Sequence, residues 1–473
     1  MRRSIVLLSA LFFVSASQYA WAAVLYTLTD LGTFGGTRSD AYGINNSGQV
    51  VGWAATSGDA AMQPFLHSGS GPLNLATDDL SVTTPYGYGV GLNSSGQVVG
   101  QFSNAGGAYD AFVYSGGSMH DLGTFGGAGS YANGINDSGQ IVGCATTGGG
   151  DGHAFLHSGT GPLNATTDDL GTFGGTSSEA DGINKSGQVV GWALTRSDAA
   201  QHAFLYSGGT MHDLGTFGGT YSEAQGINNS GEVVGFAYLD GIAYHAFLHS
   251  GSGPLNFATD NLGTLGGRSS YAYGINSGGQ VVGWADTAGN VEHAFIYNGG
   301  TMQDLNSLMA VDSGFTLEEA RGIDDSGEIV GYGTNSSGQE HAFLLTPTPE
   351  PSTLALLGAG AIGLLAYMWR RRRQLRWPLF HNISITALAL SVGVALSSAT
   401  TRGQDIYVGT NAGTIGEYTT SGGTVNASLI TGLSGPESIA VTPAVPEPAT
   451  PALLGSALLG LGVVHLRRRG AKA

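Results

Sequence analysis

The chain has 473 residues, of which 80 are Gly, 11% are charged and one is Cys, with a formal net charge of -17. So much glycine without a collagen period signals many tight turns, excludes a protein of long helices and favours an all-β repeat. Between residues 24 and 346, 29 Asp and Glu stand against five Lys and Arg, a net of -24, which repels phosphate and anionic lipid and argues against nucleic acid as a partner.

The first 22 residues read as a signal peptide. Arg2 and Arg3 precede an apolar run from Ile5 to Val14, and the small residues Ala20 and Ala22 flank Trp21. This order of parts predicts export, with cleavage after Ala22 or Ala23.

Residues 24–346 repeat. The marker Gly-Ile-Asn, or a close variant, starts at Gly43, Gly91, Gly134, Gly182, Gly226, Gly274 and Gly322, at spacings of 48, 43, 48, 44, 48 and 48 residues. Each of the seven copies is read as four strands. The third and fourth copies give "YANGIN" from Tyr131, a turn at "NDSG", "QIVGCA" or "QVVGWA", then "HAFLHS" or "HAFLYS", then "MHDLG" or "TDDLG". Cys144 takes the place of Trp53, Trp192 and Trp284 and reads as a small buried filler. Apolar residues on successive positions, as in Val189, Val190, Trp192 and Ala193, predict sheets covered on both faces. Blades stacked radially meet that requirement.

The ends of the repeat region are complementary. It begins with "LYTLTDLGTFGG", a fourth strand lacking the rest of its copy, and the seventh copy stops after "HAFLLT" at Thr346, lacking only its fourth strand. Pairing Tyr26 to Leu31 with Phe343 to Leu345 would close a seven-bladed β-propeller and remove its exposed edges. An open solenoid needs no such permuted end.

This region resembles the HAF-repeat family of extracellular proteins, through His-Ala-Phe at His153, His202, His245, His293 and His341. Two copies carry Pro64 and Asp110 in the His place. The resemblance implies an exported repeat protein and brings no reaction or ligand.

Candidate chemistry is sparse. His153 and His157 stand at i and i+4, a metal-binding spacing on a helix, yet lie about 13 Å apart on a strand. The Asp before Leu recurs as Asp30, Asp79, Asp121, Asp169, Asp213 and Asp304, with Asn261 in the remaining copy. It is read as accepting backbone N–H bonds in the following Gly loop, against the alternative of a ring of Ca²⁺ ligands. "LGTFGG" lacks the Lys and helix of a phosphate loop. An active site should break the symmetry, and the seventh copy adds Asp312, Glu318 and Glu319, more simply a solvated loop than a carboxylate pair. No catalytic, cofactor or metal residues are assigned.

Residues 347–374 hold Pro349, Glu350 and Pro351, an apolar segment to Trp369 and the run Arg370, Arg371, Arg372 and Arg373. Residues 444–473 repeat the layout with Pro446, Glu447, Pro448, then Arg467, Arg468 and Arg469. Each apolar segment is just long enough to cross a bilayer, with the Arg run on the cytoplasmic side. Both stretches resemble the PEP-CTERM sorting signal, also called the ice-binding protein C-terminal domain. That resemblance implies recognition by an exosortase, a membrane-embedded processing enzyme, and then release or attachment at the cell surface.

Between them, residues 375–402 look like a second signal peptide, and residues 403–443 form one blade-sized β unit. The segment after residue 374 therefore reads as a second, truncated exported protein joined in frame. The whole predicts a surface or matrix protein that binds, without catalysis, through loops on one face or the central channel, with exopolysaccharide as a partner. The rival is a secreted lyase or hydrolase with a carboxylate pair at the propeller mouth.

Overall fold

A computed structural model describes residues 26–348, with breaks at 70, 81–85, 105, 240–242 and 310–312, and the three strands Asp405–Thr410, Thr414–Thr419 and Thr424–Ile430. The signal peptide with Ala20 and Ala22, both Pro-Glu-Pro stretches, both Arg runs and Asp312 lie outside the described residues. The expected membrane spans lie there too; no helix among the described residues is long and apolar enough to cross a membrane.

The repeat region is all-β and propeller-like. Copies two to six each form an antiparallel four-stranded sheet in chain order. The first copy has three full strands, Gly35–Ile44, Gln49–Thr56 and Met62–Ser68, and its fourth is reduced to a single bridge between Phe65 and Asp79. The seventh has Thr316–Ile323, Ile329–Thr334 and Glu340–Pro347, and its fourth strand is the N-terminal segment Tyr26–Gly32. Tyr26 pairs with Pro347 and Gly32 with Ala342, so the complementary ends meet over a register slightly longer than the sequence predicts.

This junction is packed like an ordinary one. Leu31, Phe34, Ala41, Val50, Ala54, Phe65 and Leu73 cluster with Val330, Ala342 and Leu344 of the seventh copy. Leu214, Ala224, Val233, Ala237, Phe247 and Leu255, with Phe217, cluster with Val190, Ala203 and Leu205 at the junction of copies four and five. The two sets correspond position by position. The Phe of each third strand (Phe65, Phe112, Phe155, Phe204, Phe247, Phe295, Phe343) is fully buried, which is the two-sided covering expected.

The first strands are innermost. The Gly-Ile or Gly-Leu pair of every marker, from Gly43 and Ile44 to Gly322 and Ile323, lines one cavity of about 210 Å³. The following Asn forms a ladder: Nδ2 of Asn45 donates to the carbonyl of Asn93, Asn93 to Asn136, Asn136 to Asn184, Asn184 to Asn228, Asn228 to Asn276 and Asn276 to Asp324. Asp324 carries no amide to continue it. There Asn46 bonds Asp325 through both side chain and backbone, and Arg38 pairs with Glu340 at 3.0 Å.

Three local expectations need correction. The first strand starts earlier than Tyr131: it runs Gly126–Ile135, Gly174–Ile183 and Gly266–Ile275, taking in the Gly pair that ends "GTFGG" or "GTLGG". "TDD" in copy one and the corresponding "TDN" in copy five are not strand through their first two residues, where Leu75–Asp78 and Phe257–Asp260 make one helical turn capped by Asn74 and Asn256. The fourth strand shrinks there, and in copy three, to three residues or a bridge, because the longer "GPLN" connection supplies its own hydrogen bonds. In the downstream β unit the described strands form an antiparallel meander of three.

Candidate functional site

Every first strand carries a β-bulge just before its marker. In the fourth copy Ala180 pairs with Gly191 and Gly182 with Val190, leaving Asp181 unopposed; the same shift recurs in all seven copies. The facing glycine of the second strand permits it: a Cβ on Gly52, Gly100, Gly143, Gly191, Gly235, Gly283 or Gly331 would lie 1.8 to 2.0 Å from a first-strand carbonyl oxygen. Bulges re-aim side chains.

The bulge residue and the residue two before it form two tiers above the Ile ring. The bulge tier reads Tyr42, Val90, Asn133, Asp181, Gln225, Tyr273, Arg321, and the other reads Asp40, Tyr88, Tyr131, Glu179, Glu223, Tyr271, Glu319. Here the symmetry fails. Tyr42, Tyr88, Val90, Gln101, Tyr131, Asn133 and Glu179 line a cavity of about 400 Å³.

Two charged clusters stand in the tiers around this cup, and of their charged residues Glu179 alone lines the cavity. In one, Arg321 bonds Asp40 at 3.2 Å and Glu319 at 3.1 Å, and its guanidinium lies 4.5 Å from the Tyr42 ring centre, 5.3 Å from Tyr273 and 5.4 Å from Tyr332. Burial pushes Asp40 up to about 7, outweighing the opposing pull of Arg321. In the other, Glu179 accepts from Asn133 at 3.0 Å and Tyr131 at 3.3 Å, while Glu223 accepts from Tyr221 at 3.0 Å and Gln201 at 3.1 Å. Asp181 takes one long bond from Asn133 at 3.3 Å, and its Oδ2 is buried without a partner. Burial raises all three carboxyls, Glu223 to about 7, and the charge of Glu179 and Glu223 raises Asp181 further.

The residues singled out by motif do other work. His153, His202 and His293 bond Asp169, Asp213 and Asp304 at 2.7 to 2.9 Å, His245 bonds Asn261, and His341 bonds Asp30 across the closing junction. The same Asp30, Asp121, Asp169 and Asp213 accept the backbone N–H of the Gly two residues on, as expected. The five His pairs staple third strand to fourth in copies three to seven, whereas copies one and two carry Pro64 and Asp110 in the His place. His67, His157 and His249 form a second, buried set with Asp78, Asp168 and Asp260, each at 2.8 Å. Among the described residues no three His, Cys, Asp or Glu gather to hold a metal ion. Glu318 bonds Thr334 and Glu319 bonds Tyr332, so the two are not a pair.

Sequence reasoning passed over the two tiers because their residues differ from copy to copy. That variability beside a repeated marker, with acids in "EADGIN", "EAQGIN" and "EEARGID", was the available signal.

Residues 347–373 and 444–469 match the PEP-CTERM protein-sorting motif, so the chain carries this signal twice. Residues 215–342 match the family described as "Protein of unknown function (DUF3466)". No curated protein matches the chain. Among solved structures, TolB from Acinetobacter baumannii is similar at 13% identity and a TM-score of 0.35, over 67% of this chain and 65% of TolB. An Arg-to-Ala mutant of AofleA from Arthrobotrys oligospora is similar at 10% identity and a TM-score of 0.27, over 59% of this chain and 88% of its own.

Proposed function

We propose that the repeat region is a seven-bladed β-propeller closed by its own first strand, and that it binds polysaccharide in the cup over the Ile ring without cleaving it. The sorting motif implies export and handling by an exosortase-type enzyme at the membrane. On this reading the protein is displayed at the cell surface or in the matrix, where exopolysaccharide is at hand.

One observation carries the binding role: Tyr42, Tyr88 and Tyr131 share a cavity of about 400 Å³ with Gln101, Asn133 and Glu179. Tyrosines offer flat apolar faces with a polar tip, and convergent amides and carboxylates fix the orientation of hydroxyls. Seven copies build a scaffold, and only the tiers that need not be alike differ.

A second reading, a lyase or hydrolase, is favoured by Asp40 and Glu319, two carboxylates on one Arg321 with Asp40 titrating near neutrality. Against it, Arg321 occupies the space between them. The test is the full-length chain in detergent micelles, mixed with the exopolysaccharide of the producing cells. Saturable binding with no new reducing or unsaturated ends is expected. Accumulating ends would replace this reading with the enzyme, and no binding would remove both.

A further inference from the structure

Opposite the tier that holds Tyr88, Tyr131 and Tyr271, the second strand of each copy presents one further side chain. Five copies place an aromatic ring there: Trp53, Trp192, Phe236, Trp284 and Tyr332. Copies two and three do not. Gln101 stands opposite Tyr88, and Cys144 stands opposite Tyr131. The cavity of about 400 Å³ opens at these two neighbouring copies, with Tyr88, Gln101 and Tyr131 in its lining.

Copy six shows what a tyrosine of this tier carries when the ring is present. Trp284 stacks on Tyr271, with ring centres 4.6 Å apart and planes 19° from parallel. Tyr131 holds the position of Tyr271 in copy three, yet no aromatic ring among the described residues packs on it. Its hydroxyl is held by Glu179 at 3.3 Å and by the Cys144 thiol, so the ring is fixed while it lines the cavity. The wall beside it is cut back as well: Gly152 faces Thr146 where copy six sets Glu292 against Asp286.

Gln101 supplies a second, polar observation. Its side-chain amide lines the cavity and makes no hydrogen bond to any described residue. A part-buried amide in that state gains from a ligand that offers both donors and acceptors. No Lys, Arg or His lines the cavity, so a carboxylate entering it would lose water without meeting a cation.

We propose that Tyr131 seats one neutral hexopyranose ring of gluco configuration, stacked in the manner of Trp284 on Tyr271, with the Gln101 amide bonding the hydroxyls at its edge. This inference rests on the reading of the cup as a glycan site. An all-equatorial pyranose is flat, turns C–H faces toward a tyrosine ring and keeps its hydroxyls around the rim. A plain aromatic compound would stack equally well but leave the amide unmet, and a uronate would bring the uncompensated carboxylate.

The experiment titrates the full-length chain in micelles, by calorimetry, with cellotriose, the corresponding glucuronate trimer, indole and the exopolysaccharide of the producing cells. Cellotriose is expected to bind at least about tenfold more tightly than the glucuronate trimer or indole. Tyr131→Ala should lose about tenfold of that affinity and Tyr131→Phe much less, while Gln101→Trp, which fills the place with the chain's own ring, should abolish binding. Should Gln101→Trp fail to fold, which urea unfolding reveals, the two Tyr131 variants decide alone. Unchanged affinity in Tyr131→Ala, or an equal loss in Tyr131→Phe, overturns the stacking seat. A glucuronate trimer as tight as cellotriose overturns the neutral class, and indole as tight overturns the sugar. Exopolysaccharide binding without cellotriose binding overturns the gluco seat and leaves the glycan site standing, whereas failure of both removes the two together.

Discussion

Replacing Leu31 by Ala tests whether the repeat region has an end. Leu31 lies on the N-terminal strand, is fully buried, and packs against Phe34, Phe65 and Leu73 of the first copy and Val330 and Leu344 of the seventh. Leu214 holds the corresponding place between copies four and five and is equally buried. Truncating a close-packed Leu to Ala costs about 2–5 kcal/mol through lost transfer energy and an unfilled cavity. In a closed ring the two substitutions are structurally equivalent, so Leu31→Ala and Leu214→Ala should lower stability equally, to within about 1 kcal/mol by the same cavity argument. Urea unfolding followed by tryptophan fluorescence reads both. At a frayed chain end the Leu31 cavity opens to water and its cost disappears. A loss below about 1 kcal/mol for Leu31→Ala beside a full loss for Leu214→Ala would refute closure.

Arg321→Met should cost about 3–5 kcal/mol, because it strands Asp40 and Glu319 as buried carboxylates. Adding Asp40→Asn should restore part of that loss, and a double-mutant cycle in the same urea assay checks it. Stability should fall as pH climbs from about 4, where unfolded carboxyls titrate, to about 7, because the folded protein holds protons on Asp40 and Glu223 that the unfolded chain releases. Asp137, Asp168, Asp260 and Asp325 are held below their usual range and have the opposite sign, losing their contribution only as pH drops below about 4. Unfolding midpoints should therefore peak in mildly acid buffer, and Glu223→Gln should flatten the fall as pH rises to about 7; an unchanged slope would count against a proton held on Glu223 in the folded protein. His157→Ala should cost about 1–3 kcal/mol, since Asp168 is left buried with one donor fewer, whereas the half-exposed His153 should cost less. Comparing their unfolding midpoints decides the order.

The fold was legible because the Gly-Ile-Asn spacing counts copies and the stray "LYTLTDLG" at the start matches the strand missing at "HAFLLT". Both are local patterns whose meaning survives without coordinates. The tiers of the cup were not legible for a physical reason. A bulge inserts one residue into the alternation, so Glu179 and Asp181 cannot be assigned to a face by counting. Likewise the histidine staples within a copy join residues 11 or 16 positions apart, a separation set by each hairpin's length and not by a motif, and the one at the closing junction, His341 with Asp30, spans 311. The helical turns at Leu75–Asp78 and Phe257–Asp260 followed from Asn caps that "GPLN" displayed, though a short polar run beside Leu reads more readily as strand.

Tyr26 finds its partner Pro347 more than three hundred residues away. Such a contact forms late, since the intervening chain must be ordered before its loop closes. Pro347 is also the first residue of the sorting match. A thread crossing the membrane amino end first must therefore wait, its opening strand unsatisfied, until the stretch that addresses it to the processing enzyme has arrived; completion of the fold and presentation of the address coincide at a single proline.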